Sequence, residues 1–235
     1  MGRAFEYRRA AKEKRWGKMS RVFPRLAKAI TFAAKEGGAN PEVNPRLRMA
    51  IQNAKSENMP KDVIEAAVKR AAAKDLKDLA ELVYEGYGPN GVAIMVECTT
   101  DNSTRTVANV RSYFNHAGGS LGKSGSVDYL FTRRGIFRIA AESRNLEDLE
   151  LELIDFGLDE IIAEDEEIVI LVDFENFGEM QKGLETLGIA VLQATVERFP
   201  NAYTTVPEDQ QKPIIYILDK VEDDDDVQAV YHTMA

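Results

Sequence analysis

The predicted fold is organised around one stretch, Tyr84-Glu85-Gly86-Tyr87-Gly88-Pro89-Asn90-Gly91. Few other residue choices would allow the turn that this stretch forms. Its glycines tolerate positive φ, its proline presets a turn, and Asn-Gly suits a tight hairpin. Apolar and partly β-branched runs lie on either side, at residues 82–84 and 92–96. The pattern therefore predicts two antiparallel strands joined by this turn.

A helix and a third strand are predicted next along the chain. Asp101, Asn102 or Ser103 is suited to cap the helix, and Arg105 is expected to pair with a nearby acid. Apolar residues then recur at helical spacing until Gly118-Gly119 ends the run. Alternating residues Gly125–Phe131 predict a third strand, which gives a ββαβ unit that lacks one helix and one strand.

The C-terminal half supplies the missing elements after an insertion. Residues 133–200 show the order βαββαβ, which is typical of the ferredoxin-like arrangement. A helix is then predicted over Pro207–Val221, with Pro213 marking its first turn, and a strand over Val227–Thr233. Joined to the earlier ββαβ unit, this last pair completes a second, permuted ferredoxin-like layer.

Three short amphipathic helices are predicted before the hairpin. Ser20 is suited to cap the first, Asn44 precedes Pro45 at the start of the second, and Asn58-Met59-Pro60 separates the second from the third. Their apolar stripes are buried only against one another, so a small helical domain is expected. A helix-turn-helix and an ordinary bundle with a charged exterior both fit this pattern.

The predicted fold class is therefore α+β, with an N-terminal three-helix domain and two ferredoxin-like α+β domains, the second inserted into the first. The expected divisions are a basic arm (1–19), a helical domain (20–77), a discontinuous α+β domain (78–132 and 201–235) and the inserted α+β domain (133–200).

Several motifs in one order resemble the YebC/PmpR family, which includes the mitochondrial translational activator of cytochrome c oxidase. They are the hairpin stretch with Val92-Ala93, Asn58-Met59-Pro60-Lys61, Thr100-Asp101-Asn102 with Arg105-Thr106, Gly118-Gly119, Gly125-Ser126-Val127 and residues 222–227. The resemblance covers nearly the whole chain, although its opening Gly2-Arg-Ala-Phe-Glu-Tyr differs from the family's usual Gly-His-Ser-Lys-Trp. It implies a three-domain build, DNA-binding transcriptional regulation or ribosome-associated translation, and no catalytic residues.

The charge of the chain is divided along its length. The net charge is −9, yet residues 1–77 contain 19 Lys and Arg against 8 Asp and Glu, and residues 78–235 contain 11 against 31. Salt screens charges over roughly 8–10 Å, so a basic part on an acidic body still attracts phosphates.

The densest basic segment is predicted to bind nucleic acid. Aromatic Phe5, Tyr7 and Trp16 are interleaved with its cations and could stack on unpaired bases. The alternative is a solvated basic tail. The predicted phosphate-binding residues are Arg3, Arg8, Arg9, Lys12, Lys14, Arg15, Lys18, Arg21, Arg25 and Lys28.

The sequence offers little for catalysis or metal binding. Cys98 is the only cysteine, which excludes an internal disulfide and a cysteine-based zinc site. The two histidines lie far apart in the sequence, which argues against a histidine-rich metal centre. No P-loop, dinucleotide fingerprint or nucleophile motif occurs. Asp223–Asp226 could hold Mg²⁺ or Ca²⁺, but a solvated acidic loop is favoured. No cofactor, metal or enzymatic activity is expected.

The predicted function is that of a cytoplasmic, non-enzymatic transcriptional regulator that binds DNA through its basic N-terminal region. No segment has the apolar length of a membrane span. Two alternatives stay open: a ribosome-associated translation factor that binds RNA, and a protein-only adaptor whose acidic α+β domains dock a partner. The residues themselves indicate nucleic-acid binding and do not distinguish DNA from RNA.

Overall fold

The computed structural model describes residues 22–73, 78–141, 145–164 and 166–235. These residues form seven α-helices and two four-stranded antiparallel sheets. The helices are α1 (22–37), α2 (Pro45–Ser56), α3 (Lys61–Arg70), α4 (Ser103–His116), α5 (Leu146–Leu153), α6 (Phe177–Thr186) and α7 (Glu208–Glu222). The strands are β1 (Ala80–Tyr87), β2 (Ala93–Thr100), β3 (Ser120–Leu121), β4 (Phe131–Ala140), β5 (Leu158–Glu164), β6 (Glu167–Asp173), β7 (Val191–Pro200) and β8 (Val227–His232).

The predicted hairpin forms the centre of the first sheet, which has the order β3-β1-β2-β8. A short 3₁₀ turn over Pro89–Gly91 joins β1 to β2. Asn90 and Gly91 both have positive φ, of 59° and 73°, as an Asn-Gly turn requires. The hairpin prediction is therefore confirmed.

Helices α4 and α7 cover one face of the first sheet. Phe114 of α4 and Ile217 of α7 are fully buried against Ile94 and Val96 of β2. The Asn102 side chain caps α4 by accepting a hydrogen bond of 3.0 Å from the Arg105 backbone N–H. This cluster contains eleven buried side chains, most of them aliphatic. Their removal from water is the main source of stability for this layer.

The predicted third strand over Gly125–Phe131 is wrong. Only Ser120–Leu121 pairs with β1, while Asp128–Leu130 form a 3₁₀ turn and β4 begins at Phe131. The cause is Glu85, whose buried carboxylate accepts hydrogen bonds from the backbone N–H groups of Gly125, Val127 and Asp128 at 2.7, 2.7 and 2.9 Å. These N–H groups are consequently unavailable to a strand partner.

The second sheet confirms the predicted βαββαβ order. Its strands lie in the order β5-β6-β4-β7, and α5 and α6 pack on one face around Phe137, Ile170 and Leu184. In the chain it falls between β3 and β8 of the first sheet. The layer begins two residues before the expected range of 133–200, because β4 starts at Phe131, while β7 ends at Pro200, the last residue of that range.

Helix α7 was predicted correctly except for its proline. Pro213 is the sixth residue of the helix, in its second turn and not its first. A proline there removes the N–H that would bond to the Asp209 carbonyl. Both residues are exposed, so water can satisfy that carbonyl.

Helices α1 to α3 pack around Ile30, Leu47 and Ile64, as the amphipathic pattern predicted. Asn44 caps α2 by accepting a hydrogen bond of 3.0 Å from Leu47 N–H, and Pro45 occupies the first helical position. Gly38 follows α1 with φ of 89°. The predicted Ser20 cap lies outside the described residues.

We predict that Glu85→Gln lowers the free energy of unfolding by about 3 kcal/mol, because the amide has one acceptor oxygen for three buried donors. Urea denaturation measures the change. Glu160→Gln, at an exposed position of β5, is the matched control and should change stability by less than about 0.5 kcal/mol. Equal stability of the two variants would contradict this role of Glu85.

Candidate nucleic-acid interface

The ten predicted phosphate-binding residues divide between two parts of the chain. Arg25 and Lys28 lie on α1. The other eight, Arg3, Arg8, Arg9, Lys12, Lys14, Arg15, Lys18 and Arg21, lie outside the described residues. The structure therefore places only the last two cations of the basic segment.

One of these cations contacts the last residue of α7, and the other contacts the acidic run Asp223–Asp226 that follows it. Arg25 Nη2 donates to the Glu222 carbonyl oxygen. Lys28 Nζ donates to the Asp225 carbonyl oxygen at 2.8 Å and to Asp226 Oδ1 at 2.9 Å. Helix α1 is thereby joined to the α7–β8 connection of the first sheet, and some donors of its cations are already used.

The expectation of a solvated acidic loop is wrong for two of its four residues. Asp226 is only 4% exposed, and its Oδ2 accepts hydrogen bonds from Thr100 (3.1 Å), Thr106 (2.9 Å) and Arg105 (2.8 Å). Asp224 Oδ2 accepts from Asn109 at 3.1 Å and from the Tyr113 hydroxyl at 3.0 Å. The other two aspartates are exposed. The run is thus an internal hydrogen-bonding centre as well as a loop.

The charge of Asp226 is stabilised despite its burial. Burial raises the pKa of a carboxyl, but the hydrogen bonds from Arg105, Lys28 and Thr106 outweigh it and lower the pKa of Asp226 to about 2. The prediction that Arg105 pairs with a nearby acid is confirmed, because its guanidinium also contacts Asp101 at 2.9 Å.

Helix α2 binds the open edge of the second sheet. The Asn53 side chain donates to the Ala194 carbonyl at 2.7 Å and accepts from the Ala194 N–H at 3.0 Å, as a neighbouring strand would. Gln52 donates to the Val191 carbonyl. Sequence reasoning missed this contact, although two adjacent amides beside the apolar stripe of α2 were an available signal.

Helix α3 has an exposed face of mixed charge. Lys61, Lys69 and Arg70 alternate there with Asp62 and Glu65, and Lys61 lies 3.8 Å from Glu65. Helix α2 is held against β7, so neither helix presents a purely cationic face. This arrangement is unlike a recognition helix, whose side chains reach base edges from one continuous surface.

A cavity of about 680 Å³ opens between α1 and the acidic run. Lys28, Arg70 and Arg105 line it together with Asp101, Asp225 and Asp226. Since three cations face three carboxylates, the cavity has no excess of charge for a phosphate group.

The surroundings of Cys98 disfavour a reactive thiolate. Cys98 is buried, and burial followed by repulsion from Asp224 and Asp226 raises the pKa of its thiol to about 12, so the thiolate is scarce at neutral pH. In the described part of the chain, no group of three His, Cys, Asp or Glu residues is suited to hold a metal ion. Within the same ranges no helix has the length and apolar character needed to cross a membrane.

The fold and the interface define an α+β protein in which a basic helical region is held on two acidic sheet layers. A family model described as "TACO1/YebC protein N-terminal domain" matches residues 3–74, and one described as "TACO1/YebC second and third domain" matches residues 79–234. The chain belongs to the TACO1/YebC family.

Similar proteins extend over the whole chain. Proteins named "Probable transcriptional regulatory protein" from Cytophaga hutchinsonii and Campylobacter curvus are 56% and 54% identical, covering 100% and 98% of this chain and 99% and 98% of their own. The crystal structure of the conserved hypothetical protein Aq1575 from Aquifex aeolicus is 37% identical. It has a TM-score of 0.77 and covers 93% of this chain and 90% of that one.

We predict that the stabilisation from Asp226 disappears in acid. Its pKa lies below the value of about 3.9 expected for an unfolded chain, so the contribution is complete above about pH 5 and is lost progressively as the pH falls toward about 1. The lowered pKa corresponds to about 2–3 kcal/mol. The difference in unfolding free energy between wild type and Asp226→Asn should narrow by this amount, as urea titrations at several pH values would show.

Asp225→Asn is the control, because the Asp225 side chain is exposed and its contact with Lys28 is through the backbone carbonyl. Its difference from wild type should stay constant over the same range. A constant difference for Asp226→Asn as well would show that the carboxylate does not hold this junction.

Proposed function

We propose that this protein is a non-enzymatic regulator of gene expression in the cytoplasm, which binds DNA phosphates through its basic N-terminal region. The observation that carries the proposal is the charge division, with 19 Lys and Arg against 8 Asp and Glu in residues 1–77 and the reverse excess beyond. The names of the similar proteins, which call them probable transcriptional regulators, agree with this role.

The contacts of α1 support a particular arrangement of the basic region. Arg25 and Lys28 connect the end of that region to the acidic run, while Lys28 uses two of its three N–H donors there. The eight cations before them are most of the ten Lys and Arg residues in residues 1–28. We assign the main phosphate contacts to those eight, with Arg25 and Lys28 adding charge at the base of the segment.

The acidic body has a role in this proposal too. Residues 78–235 contain 31 Asp and Glu against 11 Lys and Arg, so they repel phosphates. Nucleic acid is therefore directed away from the acidic part and toward the basic region, because the field of a charged surface acts over roughly a Debye length.

A second candidate, a ribosome-associated factor that binds structured RNA, is favoured by one observation. The exposed face of α3 has mixed charge and α2 is held against β7, so neither helix is arranged for reading base edges. Phosphate contacts alone carry little sequence information. Recognition by backbone and shape suits folded RNA with its unpaired bases as well as it suits DNA.

Reversal of four cations tests the proposal. We predict that Arg8→Glu, Arg9→Glu, Lys12→Glu and Arg15→Glu together weaken binding to a 30-base-pair duplex at least a hundredfold in 100 mM salt. If about six phosphates are neutralised, wild-type log K should fall with log salt at a slope near −5, and the variant slope should be flatter. Fluorescence anisotropy measures both quantities.

The matched control reverses four exposed cations outside the basic region, Arg111, Lys123, Lys182 and Lys212. It changes the net charge equally, so a non-specific effect of charge would weaken binding in both variants. Equal losses in the two, or salt-independent binding by the wild type, would refute the proposal.

A further inference from the structure

Two large apolar side chains are exposed on α5 and on the 3₁₀ turn that continues it. Leu151 is 71% exposed and Ile154 is 54% exposed, and their spacing of three residues places them side by side on one face. Leu149 and Leu153 of the same helix are buried in the core of the second sheet. The two exposed residues are therefore additional to those that hold the helix in place.

All the charged residues of this helix and turn are acidic and exposed. They are Glu147, Asp148, Glu150, Glu152 and Asp155. Among the residues that the structure describes, no Lys or Arg forms an ion pair with any of them. Elsewhere in the same layer some acids are paired: Arg134 contacts Asp159 at 2.6 Å and Arg138 contacts Glu164 at 2.8 Å.

Three of these acids are placed so that they oppose the helix dipole, whereas Glu147 and Asp148 lie in the first turn, where negative charge is favourable. The C-terminal end of a helix has a partial negative charge and favours Lys, Arg or His. The last turn of α5 contains Glu150 and Glu152 without a basic residue, and Asp155 follows directly. In the free protein this end therefore retains an electrostatic cost, which a cation bound from outside would remove.

From these observations we propose that the exposed face of α5, around Leu151 and Ile154, docks a Lys/Arg-rich segment of another protein. Its cations would contact the acids at the helix end, and its large apolar side chains would cover the two exposed residues. Nucleic acid does not fit this face, because residues 133–200 contain 17 Asp and Glu against 6 Lys and Arg. The proposal goes beyond nucleic-acid binding and does not depend on it.

A designed peptide provides the probe. It is an 18-residue fluorescein-labelled peptide with Lys and Leu at helical spacing, and a second peptide replaces each Leu by Ser at the same charge. We expect the full-length protein to bind the Lys/Leu peptide at least tenfold more tightly than the Lys/Ser peptide, as measured by anisotropy. The Leu151→Ser, Ile154→Ser double variant should bind the Lys/Leu peptide at least tenfold less tightly than wild type.

The matched control is Leu187→Ser with Leu192→Ser, since these two residues are 38% and 37% exposed outside α5. Its affinity should stay within twofold of wild type. Equal losses in both double variants, or equal affinity for both peptides, would mean only general attraction to an acidic surface and would overturn the proposal.

A second variant separates docking from a structural role. Glu150→Gln with Glu152→Gln should raise the melting temperature by about 1–4 °C, because it relieves the opposition to the helix dipole. The same variant should weaken Lys/Leu peptide binding about tenfold. Unchanged peptide binding by this variant would overturn the proposal. The proposal would also be overturned if sedimentation showed that the chain dimerises and that the Leu151→Ser, Ile154→Ser variant does not, because α5 would then pair with a second copy.

Discussion

The buried carboxylate of Asp226 is the interaction on which the arrangement of the molecule depends. It joins Lys28 of α1 to Thr100, Arg105 and Thr106 of the first sheet layer. Removing one partner of a buried ion pair leaves an uncompensated charge and typically costs about 3–5 kcal/mol, so this position tolerates little change. Together with the contact between Asn53 and β7, it holds the helical region on both sheets.

The contact between α1 and the α7–β8 connection joins the basic part of the chain to the acidic part. Acidic residues usually repel one another, and residues 78–235 carry a large excess of them. At the α7–β8 connection one of these acids, Asp226, forms an ion pair with Lys28, and the backbone carbonyls of Glu222 and Asp225 accept hydrogen bonds from Arg25 and Lys28. Helix α1 is therefore attached to the acidic body by an ion pair and by hydrogen bonds. Under the proposed function, a negatively charged partner is contacted mainly by the cations of residues 1–21.

The elements that the sequence predicted well depend on neighbours in the chain. The Asn90-Gly91 turn and the Asn44 and Asn102 caps each involve residues within a few positions, and the apolar periodicity located the helices. Glu85 and Asp226 escaped prediction because their partners lie about 40 and 120 residues away. An acid in a sequence has the same pattern whether it is solvated or buried among donors, so the strand over Gly125–Phe131 and the solvation of Asp224 and Asp226 were predicted wrongly.

The central functional claim is that nucleic acid is recognised through its backbone by the basic region, with little reading of bases. A competition experiment measures how strongly the protein discriminates between DNA sequences. The protein is bound to the tightest duplex selected from a random pool, and unrelated duplex is added as the competitor. We expect unrelated DNA to displace the protein within about tenfold of the selected sequence, whereas specific regulators commonly discriminate by about 10³-fold or more. Discrimination of a thousandfold would contradict backbone recognition and would require a base-reading surface.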